Sequence, residues 1–283
     1  MKTRLLTKGL PAFVIAVLSC TVVGCLPRPG LYEDELDTML SELAFPDSYT
    51  PRQLYRMTEK LLVGPPDDER LTQALATAEH AVLIAPGYAS RWRAARAASY
   101  LAHWYSDPAL RLAAARRGLD HARAARDQKS EKVAGHYFMA VNMGLIAQMN
   151  PDGALARLQE IVRLAERARE IDDSFQQGGP LRILGALYAT APPWPTSIGD
   201  IEESEELLEE VVERFPDYPL NHYMYGETLM RLSLSTRAAA AFRATLSAPP
   251  VGIWRLEGPH FRIRARQRLA DIERVRALRN ERL

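Results

Sequence analysis

From about residue 34 onward the sequence does not settle into the two-residue alternation of a half-buried strand. Apolar residues recur every three to four positions, and Pro, Gly and Asp cut that pattern into short segments. The spacing predicts helices over 51–62, 68–85, 88–105, 108–127, 130–149, 152–171, 180–190, 201–214, 220–232, 235–247 and 259–281. Pro51 opens the first of these and Gly64-Pro65-Pro66-Asp67 ends it. No gap is long or low in complexity, so the helices belong to one all-α domain.

Such a domain needs apolar material, and 47% of the 283 residues are hydrophobic. The balance of 36 Lys+Arg against 35 Asp+Glu argues against a nucleic-acid binder working through bulk charge. The two cysteines, Cys20 and Cys25, both lie in the first 25 residues. The rest of the chain therefore has no means of building a disulfide scaffold or a Cys-ligated zinc site, and must rely on helix packing.

The head has its own logic. Lys2, Arg4 and Lys8 precede an uncharged, mostly apolar stretch over 9–24 that ends Val22-Val23-Gly24 before Cys25. A basic start, an apolar middle and small residues at the end describe a secretory leader. The apolar run is also short of the roughly 20 residues a membrane-spanning helix needs. Val22-Val23-Gly24-Cys25 resembles the lipobox of bacterial lipoproteins; Val17-Leu18-Ser19-Cys20 is a poorer match because Leu18 is bulky. The resemblance implies cleavage before Cys25 and acylation of that residue, which anchors a chain without a transmembrane helix. Leu26, not Asp, follows the cysteine, which by the same resemblance favours the periplasmic face of the outer membrane. Residues 1–24 are then a cleaved leader, and 25–50 hold the acylated Cys25, a tether over 26–33 and a first short helix. Residues 51–283 form the helical domain. Without its leader the chain has 33 basic and 35 acidic residues.

Paired helices of this length prompt a search for repeats. Gly226, Ala238, Phe242 and Pro250 fall at the spacing of the Gly, Ala, aromatic and Pro of the tetratricopeptide repeat, with Thr245 where Ala is usual. Ala74, Ala78, Ala81 and Pro86 keep the second-helix spacing. Leu184-Gly185 and Tyr188 match a first helix, and Trp92 sits four residues past Tyr88. The resemblance implies an α-solenoid of four to five divergent tetratricopeptide-like helix pairs with one concave face. Leu269, Ile272, Val275 and Leu278 recur at helical spacing in a segment with nine arginines between Arg255 and Arg282, which predicts a C-terminal capping helix with a wet basic face.

Residues 178–227 are more specific. Gly178-Gly179-Pro180 reads as a helix start, Ala191-Pro192-Pro193-Trp194-Pro195 as a non-helical corner, and Asp200 with Glu203 as a capping box. Together with Arg182, Leu184-Gly185, Tyr188, Gly199-Asp200, Pro216-Asp217-Tyr218-Pro219, Asn221-His222 and Gly226-Glu227, this segment resembles the TatT family, helical periplasmic lipoproteins associated with TRAP transporters. The resemblance implies association with the periplasmic solute-binding subunit of a TRAP system, with a hollow in the helical body that passes on a small ligand. A second reading is an envelope-assembly adaptor that holds extended peptides on the concave face.

No HExxH, GxSxG, Walker loop or GxGxxG occurs, so neither a catalytic role nor a metal or cofactor is expected, although remote carboxylates could assemble in three dimensions. Arg182, Trp194, Asn221, Tyr225 and Glu227 are the candidate ligand- or partner-binding residues. Arg182, Asn221 and Glu227 are polar groups on helices that should face inward, and buried polar groups need partners. A ligand is one such partner; an internal Arg182–Glu227 ion pair is the other account. The acidic helix Asp200–Glu213 reads as a solvated face or a dock for a basic partner. Exposed hairpin edges allow self-association, and nucleic acid is excluded by the compartment.

Overall fold

The computed structural model describes residues 31–46, 48–63, 67–150, 153–249 and 254–280, with the backbone alone for residues 31, 254–257 and 280. The leader, Cys25, the tether up to residue 30, the Gly64-Pro65-Pro66 break and Pro250 lie outside the described residues. The described residues form twelve helices: α1 (Leu31–Ser41), α2 (Pro51–Leu62), α3 (Asp68–Ile84), α4 (Tyr88–Trp104), α5 (Pro108–Gln128), α6 (Val133–Met149), α7 (Ala154–Asp172), α8 (Phe175–Thr190), α9 (Ile201–Arg214), α10 (Pro219–Arg231), α11 (Ser235–Ser247) and α12 (Trp254–Asn280).

Four helix starts, those of α2, α3, α5 and α9, follow from side chains that accept the orphan first-turn N–H groups. Thr50 and Gln53 form a reciprocal capping box with Pro51 at the first position of α2. Asp67 accepts from the Arg70 N–H at 2.8 Å, Asp107 from Ala109 at 2.7 Å and Asp200 from Glu203 at 3.0 Å. Two starts depart most from the sequence expectation. Helix α8 is assigned from Phe175, but Gln176, Gln177 and Gly178 have left-handed backbone angles, so its regular part begins at the expected Gly-Gly-Pro. Helix α12 begins a turn before Pro259, which lies inside it.

Each helix packs against the next, giving the pairs α2/α3, α4/α5, α6/α7, α8/α9 and α10/α11, closed by α12. Alternate helices also touch along the row α2, α4, α6, α8, α10, α12, whereas the intervening helices are splayed apart. The touching row is therefore the inner, concave side of a curved stack. Helix α1 lies outside it, across α3 and α5, with Leu36 and Leu40 buried and Arg116 donating to Glu33 at 2.6 Å.

Small residues at the repeat positions set the spacing. Ala74, Ala78, Ala81 and Ala238 are fully or almost fully buried, and a Cβ placed on Gly226 would lie 2.6 Å from the Phe242 ring. Thr245, where the repeat usually has Ala, is also buried; its hydroxyl donates to the Ala241 carbonyl at 3.1 Å.

Helix α12 corrects one expectation. Ile272 is buried and Leu269 packs against the C-terminal core, but Val275 and Leu278 are 61% and 51% exposed. The cause is length: α12 has 27 residues and its partners α10 and α11 have 13 each, so its last turns outrun the body.

Candidate functional site

Arg182 and Asn221 meet in the core. Arg182, on α8, donates through Nη1 to Asn221 Oδ1 at 2.8 Å and to the Gln177 carbonyl at 3.0 Å, and through Nη2 to the Gln176 carbonyl at 3.1 Å. Asn221, on α10, donates through Nδ2 to the Gln177 carbonyl at 3.2 Å and the Phe215 carbonyl at 3.3 Å. The guanidinium also lies 4.8 Å from the centre of the Tyr218 ring. These two side chains clamp a turn in which Gln176 and Gln177 hold φ of 53° and 58°, a conformation that carries a steric cost for residues with a Cβ.

The other candidates lie elsewhere. Arg182 and Glu227 do not pair: Glu227 accepts from Arg268 of α12 at 2.6 and 2.8 Å, pinning the last helix to α10. Tyr225 donates to Glu209 of α9 at 2.6 Å, and Arg237 of α11 meets both. Burial first, and then the Glu209 carboxylate, pushes the Tyr225 phenol well above its ordinary range. Trp194 stands at the expected non-helical corner, closed by a Gly199 N–H to Pro192 carbonyl bond of 2.8 Å, and is 83% exposed. The five candidates thus divide among one buried clamp, two inter-helix ties and one projecting ring.

The inner row also holds an arrangement not anticipated from the sequence. The Arg93 guanidinium sits 4.4 Å from the Tyr55 ring and 4.2 Å from the Trp92 ring, and Trp92 stacks on Phe138 at 6.1 Å. Tyr137 is edge-on to Phe138 at 5.0 Å and to Phe175 at 5.3 Å. Aromatic contacts therefore run across α2, α4, α6 and α8. Burial lowers the Arg93 pKa, while Glu59 and Tyr55 oppose the shift. Glu59 accepts instead from buried Arg96 at 2.8–2.9 Å. Trp92 falls at a repeat spacing in the sequence, but Tyr55 and Arg93 carry no local signal, because their meeting requires α2 to lie beside α4.

A second contact closes the curve. The Trp104 ring, at the end of α4, is edge-on to His260 at 4.6 Å and to Phe261 at 6.3 Å, both near the start of α12. Two helices that are four pairs apart in the row are joined there. Two open clefts lie at the N-terminal end, and none of the five candidates lines either of them. Among the described residues no group of three His, Cys, Asp or Glu is placed to hold a metal, and no helix is long and apolar enough to cross a membrane.

The family model described as TRAP transporter T-component matches residues 91–250, which contain almost all of α4 and the whole of α5 to α11. The crystal structure of a thermophilic TPR protein from Thermus thermophilus is similar in fold, with a TM-score of 0.60. It covers 78% of this chain and 100% of that one at 14% identity. No curated protein matches the chain.

Proposed function

The chain belongs to the TRAP transporter T-component family, and from that premise we propose that it is a lipid-anchored scaffold in the bacterial envelope that docks the solute-binding subunit of a TRAP system. Cys25 is the anchor in this reading, and the body faces the periplasm from the outer membrane. One observation carries the proposal beyond membership. The polar candidates on α8 and α10 are already engaged within the fold, Arg182 with Asn221 and two carbonyls, Glu227 with Arg268. What the array offers outward is surface: the projecting Trp194 and the exposed acids Glu202, Glu203, Glu206 and Glu213 of α9. A small-ligand hollow in the helical body is a second element of the same proposed role.

The test is co-purification of the acylated full-length protein from detergent-solubilised envelope. A TRAP solute-binding subunit should be recovered with it, and Trp194→Ala should lower that recovery about tenfold if the ring is a binding hot spot. Repeated recovery without any solute-binding subunit overturns the partner. Recovery of outer-membrane assembly factors in its place would favour the adaptor reading. Cys25→Ser should release the protein from the membrane fraction; retention there would remove Cys25 as the anchor.

A further inference from the structure

Arg52, Arg56 and Lys60 stand four residues apart on α2 and so form a single stripe, and all three are exposed. No described carboxylate lies in ion-pair range of any of them, whereas Arg116, Arg117 and Arg123 on α5 each meet one. Glu59, the one acid on α2, is taken by Arg96. Like charges at this spacing repel along a helix, and nothing within the described molecule compensates them.

The stripe borders a cleft of about 430 Å³. Leu43, Phe45, Met57 and Leu61 supply apolar walls with Tyr49, and the charged side chains on its lining are Lys60 and Arg70, the latter 3.8 Å from the Asp67 carboxylate. The cationic region has a limit: Glu42, Asp68 and Glu69 line the neighbouring cleft beyond Leu43 and Gln73. Both features lie on the first helix pair, at the end of the array nearest the N-terminus. The six residues from Cys25 to Leu31 span at most about 20 Å when extended, so an acyl anchor on Cys25 keeps the body close to lipid headgroups.

We propose that this end of the array is a second membrane contact, with the Arg52-Arg56-Lys60 stripe on anionic phospholipid and one lipid seated in the cleft, its phosphate between Lys60 and Arg70. The proposal rests on the acyl-anchor reading of Cys25. Unpaired cations next to an anionic leaflet gain Coulomb energy that falls away with salt, and the apolar wall gives the upper acyl chain a place to lie. An acidic protein segment is the competing occupant.

Hydrogen exchange tests this on the full acylated chain bound to vesicles. Exchange over 49–62 should be roughly tenfold slower on phosphatidylglycerol-containing vesicles than on pure phosphatidylcholine. High salt, or R52E/R56E/K60E together, should erase the difference. If the chain co-sediments with both vesicles and 49–62 exchanges equally on both, the lipid contact is overturned while the anchor stands. If it co-sediments with neither, the anchor reading has failed instead. Slowing that survives charge reversal, or that poly-glutamate reproduces without vesicles, also overturns the lipid assignment.

Discussion

Arg182 does at the scale of one residue what a glycine-rich turn does elsewhere. The chain must reverse before the regular part of α8, and it does so through Gln176, Gln177 and Gly178, all in the left-handed region. Gly178 adopts that conformation without a Cβ penalty, but the two glutamines do not. Their exposed carbonyls are met by Arg182 and Asn221, so the turn keeps its polar satisfaction inside the core. Arg182→Ala would take the donor from the Gln176 carbonyl and from Asn221 Oδ1, leaving Gln177 to Asn221 alone, and should cost about 3 kcal/mol, read as a lower urea midpoint. Arg182→Lys should recover little, because an ammonium lacks the planar fork that reaches acceptors on two helices. Gly178→Ala should cost about 1 kcal/mol or more, since the new Cβ would be 3.0 Å from Phe215. That Arg182 and Asn221 need partners was legible in the sequence, as both are polar residues on inward helices. The identity of those partners was not, because two glutamines give no sign of a positive φ.

Individual helices were legible almost throughout, and their docking was less so. Helix α1 shows why. Its seat on α3 and α5 is a charged knot in which Arg117 meets both Asp37 of α1 and Glu79 of α3, while His121 Nε2 lies 3.2 Å from Glu79. Burial would raise the Glu79 carboxyl, but the hydrogen bonds from His121 and Arg117 outweigh it and hold the group below its ordinary value of 4.5. A carboxyl with a depressed folded pKa contributes stability that is present above the unfolded value and lost as pH falls through the folded one. Stability measured by urea unfolding should therefore drop on acidification below about pH 4.5. Glu79→Gln should flatten that limb, and an unchanged limb in the variant would assign the acid sensitivity to other carboxylates. Asp173 is also lowered, chiefly by its hydrogen bond to Arg214, but it is exposed and should contribute less. Residues 79 and 117 read from sequence as ordinary members of amphipathic helices, since only the packing of α3 and α5 on either side of α4, with α1 across both, brings them together.

The whole molecule is a stack that curls until α4 reaches α12. Trp104 packs against the C-terminal core as well as the N-terminal one, bypassing the cluster between them. Trp104→Ala should lose about 2 kcal/mol of burial and let the ends separate, seen as a larger radius of gyration in solution scattering. An unchanged radius would mean that pair-to-pair packing alone maintains the curl. Local spacing dictates the all-α class, the helix pairs, most helix ends and the small residues that let the pairs approach. Each of these depends on neighbours within about four residues along the chain or within one repeat. Long-range placement decides the Arg182–Asn221 clamp, the Glu227–Arg268 tie, the overhanging end of α12 and the Trp104 closure. Those contacts depend on rotations summed over several helix-pair junctions, and no single stretch of sequence carries that sum.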